Sequence, residues 1–204
     1  MNDKYHNFNE LKKYEVEGED YIIESKMNNS DVLIMAPHGG KIEPHTSEIA
    51  KEIAGDIFSY YSFMGIKEKN NFNTLHIQST NFDESKGLEI VKKSELNVTI
   101  HGHGKDKLSD YILIGGRNNK LKTIIGKKLG EIFNVKKDYN GLEGESEENI
   151  CNRCLSGKGV QLEFGKKIRH ELISNKNYLR NLSKKMQIIF KKYDESNINQ
   201  YGTN

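Results

Sequence analysis

Two histidines and a glutamate in this chain have the types and spacing of metal ligands. His38 follows the apolar run 32–37, and Glu43 lies five residues after His38. His101 ends a second apolar stretch, 98–100. Two imidazole nitrogens and one carboxylate oxygen are the ligands of a catalytic zinc, which keeps its fourth position open for water. The spacing favours such a site if residues 39–40, both glycine, permit the turn that returns Glu43 to His38.

The alternative is that these are ordinary loop histidines, and a third histidine widens the choice. His103 lies two residues after His101. We expect the two side chains to point to opposite sides of this extended segment, so that only one of them binds the ion, and the spacing leaves open which one does.

Metal-assisted hydrolysis also needs a general base that holds the attacking water without binding the ion. Glu163, which follows the apolar segment 160–162, is the candidate, and a solvent-facing glutamate at a strand end is the alternative. Arg117 and Arg153, the latter beside Asn152, are candidate clamps for an anionic substrate, because a planar guanidinium matches a carboxylate. Surface or structural ion pairs are the alternative for both arginines.

Strands alternate with helices along the chain. The patterns predict a β-hairpin over 14–25 and strands over 31–36, 73–78, 96–100, 111–114 and 159–164. The helical period predicts helices over 47–64, 84–93 and 121–133, and a C-terminal helix with the apolar stripe Leu179, Leu182, Met186, Ile189 and Phe190. This order indicates an α/β fold, a single domain with a mixed, mostly parallel sheet flanked by helices.

In sheets of this kind, ligands bind where the carboxyl ends of the strands meet. The polar candidates each follow an apolar run: His38, Glu43, His101, His103, Arg117 and Glu163. Their common placement is the main argument for one site.

The domain boundaries are also predicted. We expect a single catalytic domain over 1–204, with a core over about 14–193 and a fraying, Asn- and Ser-rich tail over 194–204. The acidic segment 136–148 is predicted to be a mobile loop. The basic segment 167–192 is predicted to be the solvent-exposed side of a helix.

Composition excludes several functional classes. A chain of 204 residues suits one domain, and 31 basic against 29 acidic residues argue against a nucleic-acid binder that relies on bulk charge. The sequence shows neither a membrane-spanning segment nor a signal-peptide core, so we expect synthesis and folding in a cytoplasm. Cys151 and Cys154 form one C-x-x-C, which leaves open incidental thiols, a disulfide or a metal clip.

Five segments in the same order resemble the phage-encoded poly-γ-glutamate hydrolases. They are APHGGKIEPHTSEIA (36–50), TIHGHG (99–104), IGGRN (114–118), NICNR (149–153) and GVQLEFGKKIR (159–169). Those enzymes are small zinc-dependent amidohydrolases, so the resemblance implies a zinc carboxypeptidase-like (phosphorylase/hydrolase-like) fold with one zinc ion. It implies hydrolysis of γ-glutamyl amide bonds in poly-γ-glutamate, a bacterial capsule or slime polymer.

The resemblance also implies residue roles. It makes His38, Glu43 and His101 the zinc ligands and Glu163 the general base, and it assigns substrate carboxylates to Arg117, Asn152 and Arg153. A histidine at position 103 departs from the family pattern, so the choice of ligand between His101 and His103 stays open, and the alternative role for His103 is a contact with the tetrahedral intermediate. We expect a monomer that binds neither nucleic acid nor membranes and that, if phage-encoded, is released on host lysis. The alternatives are a zinc amidohydrolase or carboxypeptidase for peptidoglycan stem peptides or small acyl-glutamates, and a non-catalytic module that binds acidic polymers.

Overall fold

A computed structural model describes the backbone of residues 3–201 and the side chains of residues 3–195. Over this range seven strands form one sheet: β1 (Tyr21–Lys26), β2 (Val32–Gly40), β3 (Ser59–Gly65), β4 (Leu96–His103), β5 (Tyr111–Gly115), β6 (Asn134–Lys137) and β7 (Val160–Gly165). The same range holds seven α-helices: α1 (Phe8–Leu11), α2 (Thr46–Ala54), α3 (Asn71–Leu75), α4 (Ser85–Lys93), α5 (Asn119–Leu129), α6 (Lys166–Ser174) and α7 (Lys176–Tyr201).

The sheet is mixed, with a parallel centre. The strand order is β1-β3-β2-β4-β7-β5-β6, and β3, β2, β4 and β7 run parallel to one another. Towards the two edges, β1 pairs antiparallel with β3 and β5 pairs antiparallel with β7. The predicted α/β class is therefore confirmed, and the carboxyl ends of β2, β4 and β7 meet at one edge of the sheet.

Helices cover both faces of the sheet. Val32, Ile34 and Ala36 of β2 pack into a core with α2, α5, α6 and α7, whereas Leu33 and Met35 pack into a second core with α1, α3 and α4. Burial on both faces explains why this strand reads as a continuous apolar run rather than as an alternating one.

Most predicted elements are confirmed, with changes at their ends. A strand or helix of the predicted type lies at each of six predicted positions: 31–36 (β2), 84–93 (α4), 96–100 (β4), 111–114 (β5), 121–133 (α5) and 159–164 (β7). The predicted helix over 47–64 is too long, because α2 ends at Ala54 and Gly55 follows with φ 54°. The aromatic residues Tyr60 and Tyr61, which fit the helical period, lie instead in the missed strand β3, a setting that favours aromatic side chains.

Three other predictions are wrong. The hairpin over 14–25 does not form, because β1 pairs with β3 and the preceding arm contributes only an isolated bridge between Glu17 and Tyr21. The strand predicted over 73–78 is replaced by α3 and an irregular segment. The loop predicted from residue 136 begins later, because β6 occupies Asn134–Lys137.

The packed chain also extends beyond the predicted core at both ends. Tyr5, Phe8 and Leu11 are buried, so packing begins well before residue 14. Helix α7 continues past residue 193 to Tyr201, where fraying was predicted, and Asp194 accepts a hydrogen bond of 2.8 Å from Ser30 Oγ. The last part of the predicted tail, 202–204, lies outside the described residues. Across the described helices, none combines the length and the apolar character needed to cross a bilayer.

Glu15 ties the N-terminal segment to the edge of the sheet. Its buried carboxylate accepts hydrogen bonds from Lys4 Nζ at 2.9 Å and Tyr5 Oη at 2.7 Å, and it pairs with Lys67, which follows β3. Burial raises the pKa of Glu15, but the hydrogen bonds from Lys4, Lys67 and Tyr5 outweigh it and hold the pKa below its usual value of 4.5. The ionised carboxylate therefore stabilises the folded chain.

We expect Glu15→Gln to lower the free energy of unfolding at pH 7 by about 1 to 3 kcal/mol, because the two lysines lose their buried partner. A carboxylate with a depressed folded pKa stabilises above its unfolded pKa and loses that effect as the pH falls through the folded pKa. Denaturant unfolding of wild type and variant should therefore show a difference at neutral pH that is lost as the pH falls below the usual pKa of 4.5 and through the depressed folded pKa. Glu19→Gln, at an exposed position of the same turn, is the matched control. A difference that grows as the pH falls would contradict this assignment.

Candidate metal centre and active-site cavity

The parallel strands bring the predicted site residues to one edge of the sheet. His101 of β4 and Glu163 of β7 are register partners, so their side chains lie side by side on one face. His38 lies in the neighbouring strand β2, where the register with β3 shifts between Ala36 and Gly39. Such an irregularity re-aims side chains at the end of a strand.

A tight turn returns Glu43 to His38. Gly40 has φ 61°, and the amide of Glu43 donates to the carbonyl oxygen of His38 at 2.9 Å. The carboxylate is anchored on the next strand, because its Oε2 accepts a hydrogen bond of 2.8 Å from the amide of Gly102. The structure thus brings together the two residues that the glycine turn was expected to join.

Two buried imidazole nitrogens and the carboxylate of Glu43 converge at this point. His38 Nδ1 lies 3.1 Å from Glu43 Oε1 and 3.2 Å from His101 Nδ1, and His101 Nδ1 lies 3.5 Å from Glu43 Oε2. Ligands about 2.0 to 2.1 Å from a tetrahedral zinc lie about 3.3 Å from one another. The spacing therefore fits the shell of one zinc ion.

A backbone hydrogen bond leaves His38 Nδ1 as an acceptor, whereas the buried Nε2 of His101 has no hydrogen-bond partner among the described residues. His38 Nε2 lies 2.7 Å from the carbonyl oxygen of Ile77 and must donate to it, which leaves Nδ1 with a free lone pair. Burial raises the pKa of Glu43, but His38 and His101 outweigh it and hold the pKa well below its usual range. Close packing of two lone pairs and a carboxylate is favourable only around a cation or shared protons.

His76 is a fourth group at this centre that the sequence did not reveal. Its ring packs on that of His38 with centroids 4.2 Å apart, and its Nε2 lies 3.9 Å from Glu43 Oε1. One ligand atom from each of His38, Glu43 and His76 falls within 4.8 Å of the others, so His76 is a second candidate for the third ligand. The shorter distances favour His101.

His76 is oriented from the N-terminal segment. Its Nδ1 lies 2.8 Å from Asp3 Oδ1, and Asp3 Oδ2 accepts a hydrogen bond of 2.8 Å from the amide of Gln78. Asp3 is 73 residues away along the chain, so no local pattern could have indicated the pair.

Glu163 borders the same centre. It is buried, and Gln161 Nε2 donates to its Oε1 at 3.1 Å. Burial raises the pKa of Glu163 to about 7, with the charge of Glu43 acting in the same direction and His101 opposing it. The position and environment suit a group that exchanges protons near neutral pH.

These residues form the floor of a cavity of about 980 Å³. Its walls are the segment 76–80 on one side and the loop 141–146 on the other, with Lys105 at the end of β4. His103 also lines the cavity, so the expectation that His101 and His103 point to opposite sides is wrong, because side chains two residues apart on a strand share a face. Both of its ring nitrogens face backbone groups, the carbonyl of Tyr111 at 3.2 Å and the amide of Lys105 at 3.3 Å.

The structure does not bring Arg117 or Arg153 to the cavity. Arg117 Nη1 pairs with Glu147 at 2.8 Å on the outer side of the loop. Arg153 Nε donates to the carbonyl of Glu148, and its Nη2 donates to the carbonyl of Thr80 at 2.9 Å. The geometry supports a role in fixing the cavity walls rather than a direct contact with substrate.

Asn152 does not line the cavity either, and its side-chain amide forms four hydrogen bonds with backbone groups. Nδ2 donates to the carbonyls of Gly144 and Ser146, and Oδ1 accepts from the amides of Arg117 and Gly159. Four hydrogen bonds hold the cavity loop against the sheet and leave no polar group for a ligand.

The neighbouring Cys151 and Cys154 are buried free thiols, so the disulfide alternative does not hold. Burial raises the pKa of Cys151, which favours the inert thiol form. Within the described residues, neither cysteine belongs to a group that could hold a metal ion.

Comparison with known proteins agrees with this architecture. The structure is similar to that of a bacteriophage poly-gamma-glutamate hydrolase, with a TM-score of 0.87 and 29% identity over 94% of this chain and 98% of that one. It is also similar to the zinc-free apo form of YndL, with a TM-score of 0.86 and 30% identity over 93% of this chain and 98% of that one.

Sequence comparison identifies the family. The chain is 36% identical over 175 residues to the SPbeta prophage-derived protein YoqZ of Bacillus subtilis strain 168, which covers 84% of this chain. The match spans 62% of the length of YoqZ. Residues 5–196 match the model of the poly-gamma-glutamate hydrolase family, which confirms the resemblance indicated by the five motifs. The chain belongs to the poly-gamma-glutamate hydrolase family.

Proposed function

We propose that this chain hydrolyses γ-glutamyl amide bonds of poly-γ-glutamate with one zinc ion held by His38, Glu43 and His101. The observation that carries the proposal is the convergence of two buried imidazole nitrogens and the carboxylate of Glu43, with distances of 3.1 to 3.5 Å, on the floor of a cavity beside the buried carboxylate of Glu163. Family membership and the likeness to a bacteriophage poly-gamma-glutamate hydrolase support the choice of polymer.

When bound, zinc would polarise the carbonyl of the scissile amide and acidify the attacking water. The chain itself supplies the orientation. The carbonyl of Ile77 fixes the tautomer of His38, and the amide of Gly102 fixes the carboxylate of Glu43. Both side chains are therefore oriented before a metal ion binds.

Glu163 moves the proton in this proposal. Its carboxylate takes a proton from the attacking water while the water oxygen forms a bond to the γ-carbonyl carbon. The carbon–nitrogen bond then breaks, and Glu163 returns the proton to the leaving nitrogen. The products are a carboxylic acid and an amine, and transfer of the remaining acid proton gives the carboxylate and ammonium forms at neutral pH. Gln161, which donates to Glu163 Oε1, holds the carboxylate towards the cavity.

The ligand assignment predicts which variants lose zinc. His38→Ala and His101→Ala should weaken zinc binding by at least about 100-fold, because each removes one of three ligands, whereas His76→Ala should keep about one ion per chain. Metal content after dialysis and titration against a competing chelator measure this directly. His6→Ala, at an exposed histidine, is the matched control. Loss of zinc from His76→Ala together with retention in His101→Ala would make His76 the third ligand.

If Glu163 is the general base, its substitution should slow the chemical step without weakening zinc binding. Glu163→Gln should keep its zinc and lower kcat on poly-γ-glutamate by at least about 100-fold, because the amide cannot accept the proton from water. Polymer length on a gel and release of free amines measure turnover, with a chelator as a second arm that should abolish cleavage by the wild type.

Glu171→Gln, at an exposed position of α6, is the control for that substitution. Normal turnover by a zinc-loaded Glu163→Gln protein would remove Glu163 from the mechanism. Failure of the zinc-loaded wild type to shorten the polymer, with cleavage of a peptidoglycan stem peptide or a small acyl-glutamate, would move the activity to that substrate class. Binding without cleavage of any of these substrates would indicate a non-catalytic module.

A further inference from the structure

Lys105 is the only lysine or arginine that lines the cavity in the described part of the chain. It lies two residues after the end of β4, and its side chain is exposed, which places the ammonium group at the mouth of the cavity rather than in its floor. The amide of Lys105 donates to His103 Nδ1 at 3.3 Å. The backbone that carries the lysine is therefore tied to the end of the strand.

The ammonium group of Lys105 is available to an anion. Its Nζ lies 5.3 Å from the centroid of the Tyr139 ring, and among the described residues it has no carboxylate partner and no hydrogen-bond acceptor. The face of an aromatic ring attracts a cation but leaves its three N–H donors for other partners. Tyr139 lies just before the cavity loop 141–146, so the contact holds the ammonium group beside that wall.

The loop wall itself carries negative charge. Glu143 and Glu145 both line the cavity, and Glu143 Oε2 accepts a hydrogen bond of 2.9 Å from the amide of Gly141. Like charges repel, so an anionic polymer cannot lay its carboxylates along these two side chains. Outside the histidines of the floor, Lys105 is the position at which a carboxylate in the cavity meets the opposite charge.

The distance of Lys105 from the metal centre decides which carboxylate of the polymer this is. His101 precedes Lys105 by four residues, which corresponds to about 13 Å along an extended chain. Each γ-linked glutamate residue contributes five chain bonds, or about 6 Å when it is extended. The two residues that flank the scissile bond lie at the metal centre, so Lys105 faces a carboxylate farther along the polymer.

We propose that Lys105, acting on the substrate of the proposed function, binds the α-carboxylate of a polymer residue beyond the two that flank the scissile bond. The contact is remote from the reacting atoms, so it contributes to substrate binding and takes no part in proton transfer. It makes the enzyme select long acidic chains over short ones.

The first test compares two polymers that differ only in their carboxylates: poly-γ-glutamate and the same polymer with its α-carboxylates converted to primary amides. Lys105→Gln should raise KM on the acidic polymer by about 10-fold with little change in kcat, because the lost contact is the same in the ground state and the transition state. On the amidated polymer its kcat/KM should stay within about 2-fold of the wild type. Lys105→Arg should stay within about 3-fold of the wild type on both polymers, because a guanidinium keeps the charge and binds carboxylates.

Lys107→Gln is the matched control. It removes the same charge two residues farther along, but Lys107 is exposed and does not line the cavity, so its kcat/KM should stay within about 2-fold of the wild type on both polymers. Equal losses in Lys105→Gln and Lys107→Gln would show a general attraction between the polymer and the basic surface, and would overturn the proposal. So would an equal loss of Lys105→Gln on both polymers, which indicates a structural role, or an unchanged KM on the acidic one.

Binding separates this proposal from the proposed function. In calorimetric titration, a γ-linked glutamate hexamer should bind Glu163→Gln protein about 10-fold more tightly than it binds the double variant Glu163→Gln, Lys105→Gln. The dimer γ-glutamyl-glutamate should not distinguish these proteins, because it does not reach Lys105. A wild type that cleaves neither polymer, together with this difference for the hexamer, would refute the proposed activity and keep the role of Lys105. Equal binding of the hexamer to both proteins would refute the role of Lys105, whatever the activity.

Discussion

The carboxylate of Glu43 joins two strands, and the arrangement of the centre depends on that contact. One of its oxygens faces His38 on the β2 side, and the other accepts a hydrogen bond from the backbone of β4 at Gly102. Because the second anchor is a backbone group, the carboxylate is positioned by the pairing of the strands rather than by a flexible side chain. Any slip of β4 against β2 would displace the carboxylate and His101 together.

The cavity walls are also held by hydrogen bonds to backbone groups. Three residues were candidates for binding an anionic substrate: Arg117, Asn152 and Arg153. Their side chains form hydrogen bonds with backbone groups or with Glu147 instead. A guanidinium or an amide becomes available to a ligand only where the fold leaves it without a partner. Among the described residues, Arg169 is a basic side chain whose buried Nη1 has no hydrogen-bond partner, but it does not line the cavity.

The sequence was most informative where position depends on the end of a strand. His38, His101 and Glu163 each follow an apolar run, and parallel pairing makes the ends of such runs neighbours. It was least informative where a contact joins distant segments. The pairing of β1 with β3 could not be predicted, because the residues of β3 fit a helical period and were assigned to a helix. The role of His76 could not be predicted either, because its orientation depends on a contact with Asp3, far away along the chain. Arg169 lies in a segment that was predicted to be solvent-exposed, but the residue is buried. Which face of a helix is buried becomes clear only when its packing on the sheet is known.

The contact of Asp3 with His76 and Gln78 makes the first described residue a support of the cavity wall. Removal of Asp3 would leave His76 and the amide of Gln78 without these partners, so the position of a cavity wall depends on a residue more than 70 positions away along the chain.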